Sequence, residues 1–189
     1  MTILTVIDDA ANDVVWLGSN GRATLGSLVG PSVDKKWLAL GGWLLGITGT
    51  GPKIEAIKAH TDKFPSDTAH PFEVLKFLKT AYENFDIGET DEGLKRYCGS
   101  GFLIHKGGAI WDFDNSFCLS EVPHGAYWAR GSGMDLAIGA AAALKPFMRS
   151  AKDLTRRALE ITIAMDVDCP GEVLVQTFNR EGVLSDPIA

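Results

Sequence analysis

The residue with the most chemical promise stands second in the chain. If Met1 is removed, Thr2 carries both a hydroxyl nucleophile and a free α-amino group, a self-contained pair of nucleophile and base. A second feature is the glycine-rich run Gly46-Ile47-Thr48-Gly49-Thr50-Gly51-Pro52, where an apolar strand ends on bare backbone before a helix that Pro52 can start. Such a turn can offer N–H groups to an anion, although most such turns are only turns.

Taken singly, the other polar residues have ordinary readings. Lys36 reads as a solvated lysine, Ser132 between two glycines as a helix N-cap, Asp166 as a solvent-facing residue at a helix end, and Cys169 as a buried thiol. The three cysteines, Cys98, Cys118 and Cys169, are odd in number and have no metal-ligand spacing, so they read as mostly core thiols of a reducing compartment.

The elements that would position these groups follow from pattern. Residues 2–8 and 13–18 are β-rich and flank the polar turn Asp9-Ala10-Ala11-Asn12, which predicts an antiparallel hairpin. The glycines of 19–26 predict a tight connection, and Pro31 an end to any strand before it. Residues 36–40 and 43–48 form a second hairpin about Gly41-Gly42.

Helices are predicted over 52–60 and 71–85, the latter with the stripe Phe72, Leu75, Leu78, Tyr82 and Phe85 facing the core. An acidic connector spans 88–95. A strand meander then covers 97–105, 109–113, 117–122 and 127–130. An alanine-rich helix follows over 134–147, with Leu136, Ala140, Ala143 and Phe147 on one side. Ser150 caps a helix running to Met165, buried through Leu154, Ala158, Ile161 and Met165, and a last strand covers 172–178.

This order predicts one α+β domain over 1–189, two stacked antiparallel sheets flanked by helices in a four-layer α-β-β-α sandwich. With 189 residues, 46% of them apolar, the chain can bury a core without disulfides or metals. A net charge of −6 argues against a nucleic-acid or anionic-membrane surface. No stretch approaches the roughly 18 apolar residues of a membrane span, and no secretion signal opens the chain, so a cytoplasmic protein is expected.

The ordered set of motifs resembles the proteasome β-subunit and HslV group of N-terminal nucleophile hydrolases. Thr2-Ile3-Leu4-Thr5-Val6 looks like the nucleophile strand, Gly18-Ser19-Asn20-Gly21-Arg22-Ala23-Thr24-Leu25-Gly26 like the segment after the first hairpin of HslV, and Lys36 falls where the family has its active-site lysine. Tyr127-Trp128-Ala129-Arg130-Gly131-Ser132-Gly133 is similar to the family's strand-to-helix junction. Asp166-Val167-Asp168-Cys169-Pro170-Gly171 is a weaker match to an Asp, two residues, a Ser and glycines. The chain is more like short bacterial proteasome-like subunits than eukaryotic ones.

The resemblance implies a threonine-type endopeptidase. Thr2 would be the nucleophile and its amine, with an ordinary pKa of about 7.7 to 8.0, the base. Lys36 would favour the alkoxide, the N–H of Gly49 or Thr48 would hold the oxyanion, Ser132 would bind the terminal amine, and Asp166 would extend that network. It further implies a homo-oligomeric ring cutting unfolded polypeptides, an ATPase unfoldase as partner, and no required cofactor. A structural monovalent or divalent cation would sit on carbonyls of Ile163, Asp166 and Cys169.

Two departures from the pattern matter. Asn20 stands where the family has an aspartate that pairs with the lysine, and the usual threonine pair is replaced by Met1-Thr2 or Thr2-Ile3. With Thr2 as nucleophile the first hairpin is about two residues longer than usual, an excess the turn over 8–13 absorbs. With Met1 retained in that place, the chain would instead be a catalytically inactive ring or scaffold subunit.

Overall fold

The β-branched run at the start forms β1 (Ile3–Asp9), which turns back into β2 (Val14–Asn20) as an antiparallel pair. The Asn12 N–H donates to the Asp9 carbonyl at 3.1 Å, and Asp13 takes φ 55° to complete the reversal. The computed structural model describes residues 2–25, 28–33, 36–49, 52–91, 94–97, 99–167 and 169–188. Met1, Gly26, Thr50, Gly51, Cys98 and Asp168, which figure in the sequence expectations, lie outside them.

After β2 the chain forms a two-stranded ribbon, β3 (Arg22–Leu25) with β4 (Leu28–Val33), and then the hairpin β5 (Trp37–Leu40) and β6 (Trp43–Ile47), turned on Gly41 at φ 55°. Two helices follow, α1 (Pro52–Lys58) and α2 (Pro71–Asn84). A short ribbon, β7 (Glu89–Asp91) with β8 (Leu94–Arg96), leads to β9 (Gly101–His105), β10 (Ile110–Phe113) and β11 (Leu119–Glu121). The chain closes with β12 (Tyr127–Gly131), α3 (Met134–Leu144), α4 (Ala151–Met165) and β13 (Val173–Asn179).

The larger sheets run β12-β1-β2-β13 and β11-β10-β9-β6-β5, antiparallel throughout. Between them Leu4, Val6, Leu17 and Phe178 meet Trp37, Leu44, Phe102 and Ile104. On the far side of the first sheet, Ile3, Ile7 and Ala129 pack beneath Ala137 and Ala141 of α3 and Leu154, Ala158 and Leu159 of α4. On the far side of the second, Leu45, Ile47 and Leu103 pack against Ile57 of α1 and Val74, Leu75 and Leu78 of α2.

The four-layer sandwich is therefore as expected, and it explains the unbroken apolar run of β1, whose two faces are both covered. Gly18 lets α4 approach closely: a Cβ there would fall 2.5 Å from Leu159 Cδ1 and 2.3 Å from Thr5 Oγ1. The sheets are also tied by polar contacts, since Asp112 on β10 accepts from Trp128 Nε1 at 3.1 Å and from the Arg130 guanidinium, both on β12.

Several expectations are corrected. Pro31 lies inside β4, tolerated because a two-stranded ribbon leaves an edge that needs no N–H. The connector expected over 88–95 forms most of the β7–β8 ribbon, which runs on to Arg96. β12 does not continue the β9–β11 meander but crosses to the other sheet and pairs with β1.

Helix faces also shift. Phe72 and Phe85 are exposed at the ends of α2, while Val74, Phe77 and Ala81 join Leu75, Leu78 and Tyr82 inside. On α3 the side through Leu136, Ala140 and Ala143 is only partly covered: Leu136 and Ala143 are exposed, Ala140 packs against the core, Phe147 lies beyond the helix and is 85% exposed, and Ala137 and Ala141 make the close packing. Met165 is exposed, and Thr155, Leu159 and Thr162 complete the buried face of α4. Cys118 is exposed rather than a core thiol.

Candidate active site

Thr2, half-buried, leads into β1 at the end of the strand that lies beside the start of α3. Its carbonyl accepts the Ser132 N–H at 3.1 Å. That approach depends on Gly131, which has φ 107° and whose Cβ, if present, would lie 1.9 Å from the Thr2 carbonyl oxygen.

Lys36 immediately precedes β5 and is not the solvated lysine of its default reading; it is 6% exposed. Its carbonyl accepts the Ile47 N–H at 3.0 Å, which anchors the residue to β6. Its Nζ donates to the backbone carbonyl and to the side-chain Oδ1 of Asn20, both at 2.6 Å.

Asn20, the last residue of β2, is fully buried and works at both ends of its amide. Oδ1 accepts the Ile3 N–H at 3.0 Å as well as Lys36, while Nδ2 donates to the Pro170 carbonyl at 3.0 Å. The orientation is fixed by chemistry, because a flipped amide would set Nδ2 against two donors and Oδ1 against a carbonyl. Through this amide the lysine is coupled to the residue next to Thr2.

The glycine-rich turn follows β6. Thr48 is clamped to Ser100 by its N–H (2.9 Å to the Ser100 carbonyl) and by its Oγ1, which donates to that carbonyl at 2.7 Å and accepts the Ser100 N–H at 2.9 Å. The Thr48 N–H is thus committed. Gly49 is exposed with φ 98°, and among the described residues nothing accepts its N–H. Of the two candidate oxyanion donors, the geometry leaves Gly49.

Ser132 and Cys169 meet with Oγ 3.2 Å from Sγ. Gly133 makes room for this contact, since a Cβ on it would lie 3.1 Å from Cys169 Sγ and 3.2 Å from Asp166 Oδ2. Burial pushes the Cys169 thiol above its ordinary pKa and the Asp166 carboxylate adds to the rise, against a lowering by the Ser132 hydrogen bond, which keeps the thiol protonated at neutral pH.

Asp166 ends α4 with its N–H on the Thr162 carbonyl, and its own carbonyl accepts the Cys169 N–H at 3.0 Å. Ile163 is in the last turn of α4, where carbonyls lack intrahelical partners. Carbonyl oxygen is a ligand type that hard cations take, and the Asp166 carbonyl already accepts the Cys169 N–H. No cluster of three His, Cys, Asp or Glu side chains fit for a metal exists among the described residues.

The structure thus gathers two linked groups about the start of β1: Thr2, Ser132, Cys169 and Asp166 on one side, and Ile3, Asn20 and Lys36 on the other. Gly49 stands two residues beyond the Ile47 that pairs with Lys36. Gly131, Pro170 and Ser100 escaped sequence reasoning as site residues. Gly131 and Pro170 left a trace there, each as a member of a quoted motif and with no role of its own, and Ser100 left none.

These four layers form a fold shared with solved proteasome-like and HslV structures. Thiobacillus denitrificans BPH shares it with a TM-score of 0.73 and 19% identity over 95% of this chain and 98% of that one. The same protein in complex with epoxomicin gives a TM-score of 0.72 and 16% identity over 95% and 98%. Eukaryotic HslV from Trypanosoma brucei gives 0.65 and 21% over 95% and 99%. No protein-family model matches the chain, and no curated protein does. Among the described residues, no helix is long and apolar enough to cross a membrane.

Proposed function

We propose that the chain is a threonine-type endopeptidase whose nucleophile is Thr2 after removal of Met1. One observation carries the reading: the buried Lys36 ammonium is held by the same Asn20 oxygen that takes the N–H of Ile3, the residue bonded to Thr2. A fixed cation beside an N-terminal threonine favours the alkoxide and keeps the neighbouring amine unprotonated near neutral pH.

In the proposed cycle the Thr2 Oγ attacks a peptide carbonyl carbon, forming an ester bond, while its proton passes to the α-amine. The carbonyl oxygen takes up negative charge facing the Gly49 N–H. The C–N bond then breaks, and the amine delivers the proton to the departing peptide nitrogen. Water, deprotonated by the same amine, hydrolyses the ester and restores the hydroxyl.

Ser132 holds the terminal amine in this reading, with Asp166 and Cys169 behind it. A cation on the Ile163, Asp166 and Cys169 carbonyls would stiffen that turn. The substrates are unfolded polypeptides, cut inside a homo-oligomeric ring in the cytoplasm and supplied by an ATPase unfoldase.

Epoxomicin, found in complex with BPH, is the probe. Intact mass of the purified protein is expected to show loss of one methionine and, after incubation, one covalent adduct on Thr2. A retained Met1 with no adduct and no peptide hydrolysis would place the chain instead among catalytically inactive ring or scaffold subunits.

A further inference from the structure

We infer that Lys53, outside every role assigned so far, is a positioning residue that orients and polarises the Thr48–Gly49 peptide group. The inference rests on the proposed function, because this peptide group presents the Gly49 N–H to the developing oxyanion.

Lys53 is 1% exposed and among the largest fully buried side chains of the protein. Lysine is almost never buried to that degree without a specific electrostatic reason. It sits in the first turn of α1, where the helix dipole gives a cation no support. Its side chain folds back across the turn it follows, and Nζ donates to the Thr48 carbonyl at 3.4 Å.

The space it occupies is kept open by Gly99. A Cβ at that position would lie 2.1 Å from Lys53 Nζ and 2.9 Å from the Thr48 carbonyl oxygen. The glycine therefore serves the lysine–carbonyl contact itself.

The consequence follows from peptide geometry. The Thr48 C=O and the Gly49 N–H belong to one planar trans unit and point in opposite directions. A buried ammonium that fixes the C=O inward turns the N–H outward, toward the exposed side of Gly49. A cation on the oxygen also draws electron density from the nitrogen and strengthens the N–H as a donor. Ser100 holds the preceding Thr48 N–H and Oγ1, so Lys53 acts on a peptide whose other end is already anchored.

The test compares Lys53→Met, which removes the donor, with Lys53→Gln, which keeps a neutral donor on a side chain one bond shorter. On a fluorogenic peptide, Lys53→Met is expected to lower kcat by about tenfold or more, with KM within about twofold of the parent. Lys53→Gln is expected to recover part of that loss, the shortfall reflecting both the missing charge and the shorter reach. Unchanged kcat in Lys53→Met would overturn the inference, as would loss of assembly in both variants, which would make the lysine purely structural. If the parent protein neither hydrolyses peptide nor takes epoxomicin at Thr2, the proposed function fails and the inference with it, an outcome distinct from active parent and equally active variant.

Discussion

Lys36 Nζ meets Asn20 twice at 2.6 Å, once at the backbone carbonyl and once at Oδ1. The cation is therefore placed by the end of β2 and not by its own flexible stem. Lys36→Ala is expected to lower peptide hydrolysis by about 10²–10³-fold, the scale of losing one preorganised electrostatic group. Assembly, followed by sedimentation, should be retained; undiminished hydrolysis would remove Lys36 from the mechanism.

Asn20 stands where the resembling family has an aspartate, and a charge-based view expects Asn20→Asp to raise activity. The geometry argues otherwise. Nδ2 donates to the Pro170 carbonyl at 3.0 Å, so an aspartate would set two acceptors against each other in a buried site. The variant is expected to lose about 1–3 kcal/mol of stability in urea unfolding and to gain no rate. A faster enzyme of unchanged stability would show that the amide donor is dispensable.

Gly131→Ala combines a positive φ with a Cβ 1.9 Å from the Thr2 carbonyl oxygen. The backbone strain alone costs about 1–3 kcal/mol. Relief of the clash must move Thr2 away from Ser132. Thermal unfolding should therefore occur at lower temperature and epoxomicin labelling should slow, whereas an alanine variant labelled at the parent rate would mean that Thr2 placement does not depend on this contact.

Stability should fall at alkaline pH. Burial, helped by a hydrogen bond to Glu83 and its charge, pushes the Tyr97 phenol up to about 12 from an ordinary 10.0, and burial raises Tyr82 and Tyr127 too. Above the ordinary value the unfolded chain loses phenolic protons that the fold retains, so the unfolded state binds fewer protons and stability declines as pH rises. Urea midpoints across this range should drop, with less of a drop in Tyr97→Phe. A flat profile would mean that these phenols ionise as easily in the fold as out of it.

What was legible in the sequence was what is local. The first hairpin, the Gly41-Gly42 turn, Pro52 at the start of α1 and Ser150, whose Oγ accepts the Asp153 N–H at 3.2 Å, each rest on a few adjacent residues. Less local features escaped. The move of β12 to the other sheet depends on β1, more than a hundred residues earlier, and no nearby pattern encodes it. The faces of α3 were unreadable because a helix of alanines has no apolar period to follow.

The site divides in the same way. Thr2 and the glycine-rich turn stood out by type and position. The burial of Lys36 and the second half of Asn20's bonding did not, because a side chain's partners across the fold leave no mark on its neighbours in sequence. Asn20 in particular looked like a lost charge until its donor end was seen on Pro170.

Asn20 joins chain segments separated by 17 residues at Ile3, 16 at Lys36 and 150 at Pro170. On a ribosome the first two emerge long before the last. The lysine cradle thus cannot be complete on a growing chain, whose entropy opposes so distant a closure until β13 is at hand. Under the proposed function, a nascent copy therefore has no completed lysine cradle until the segment after α4 has emerged.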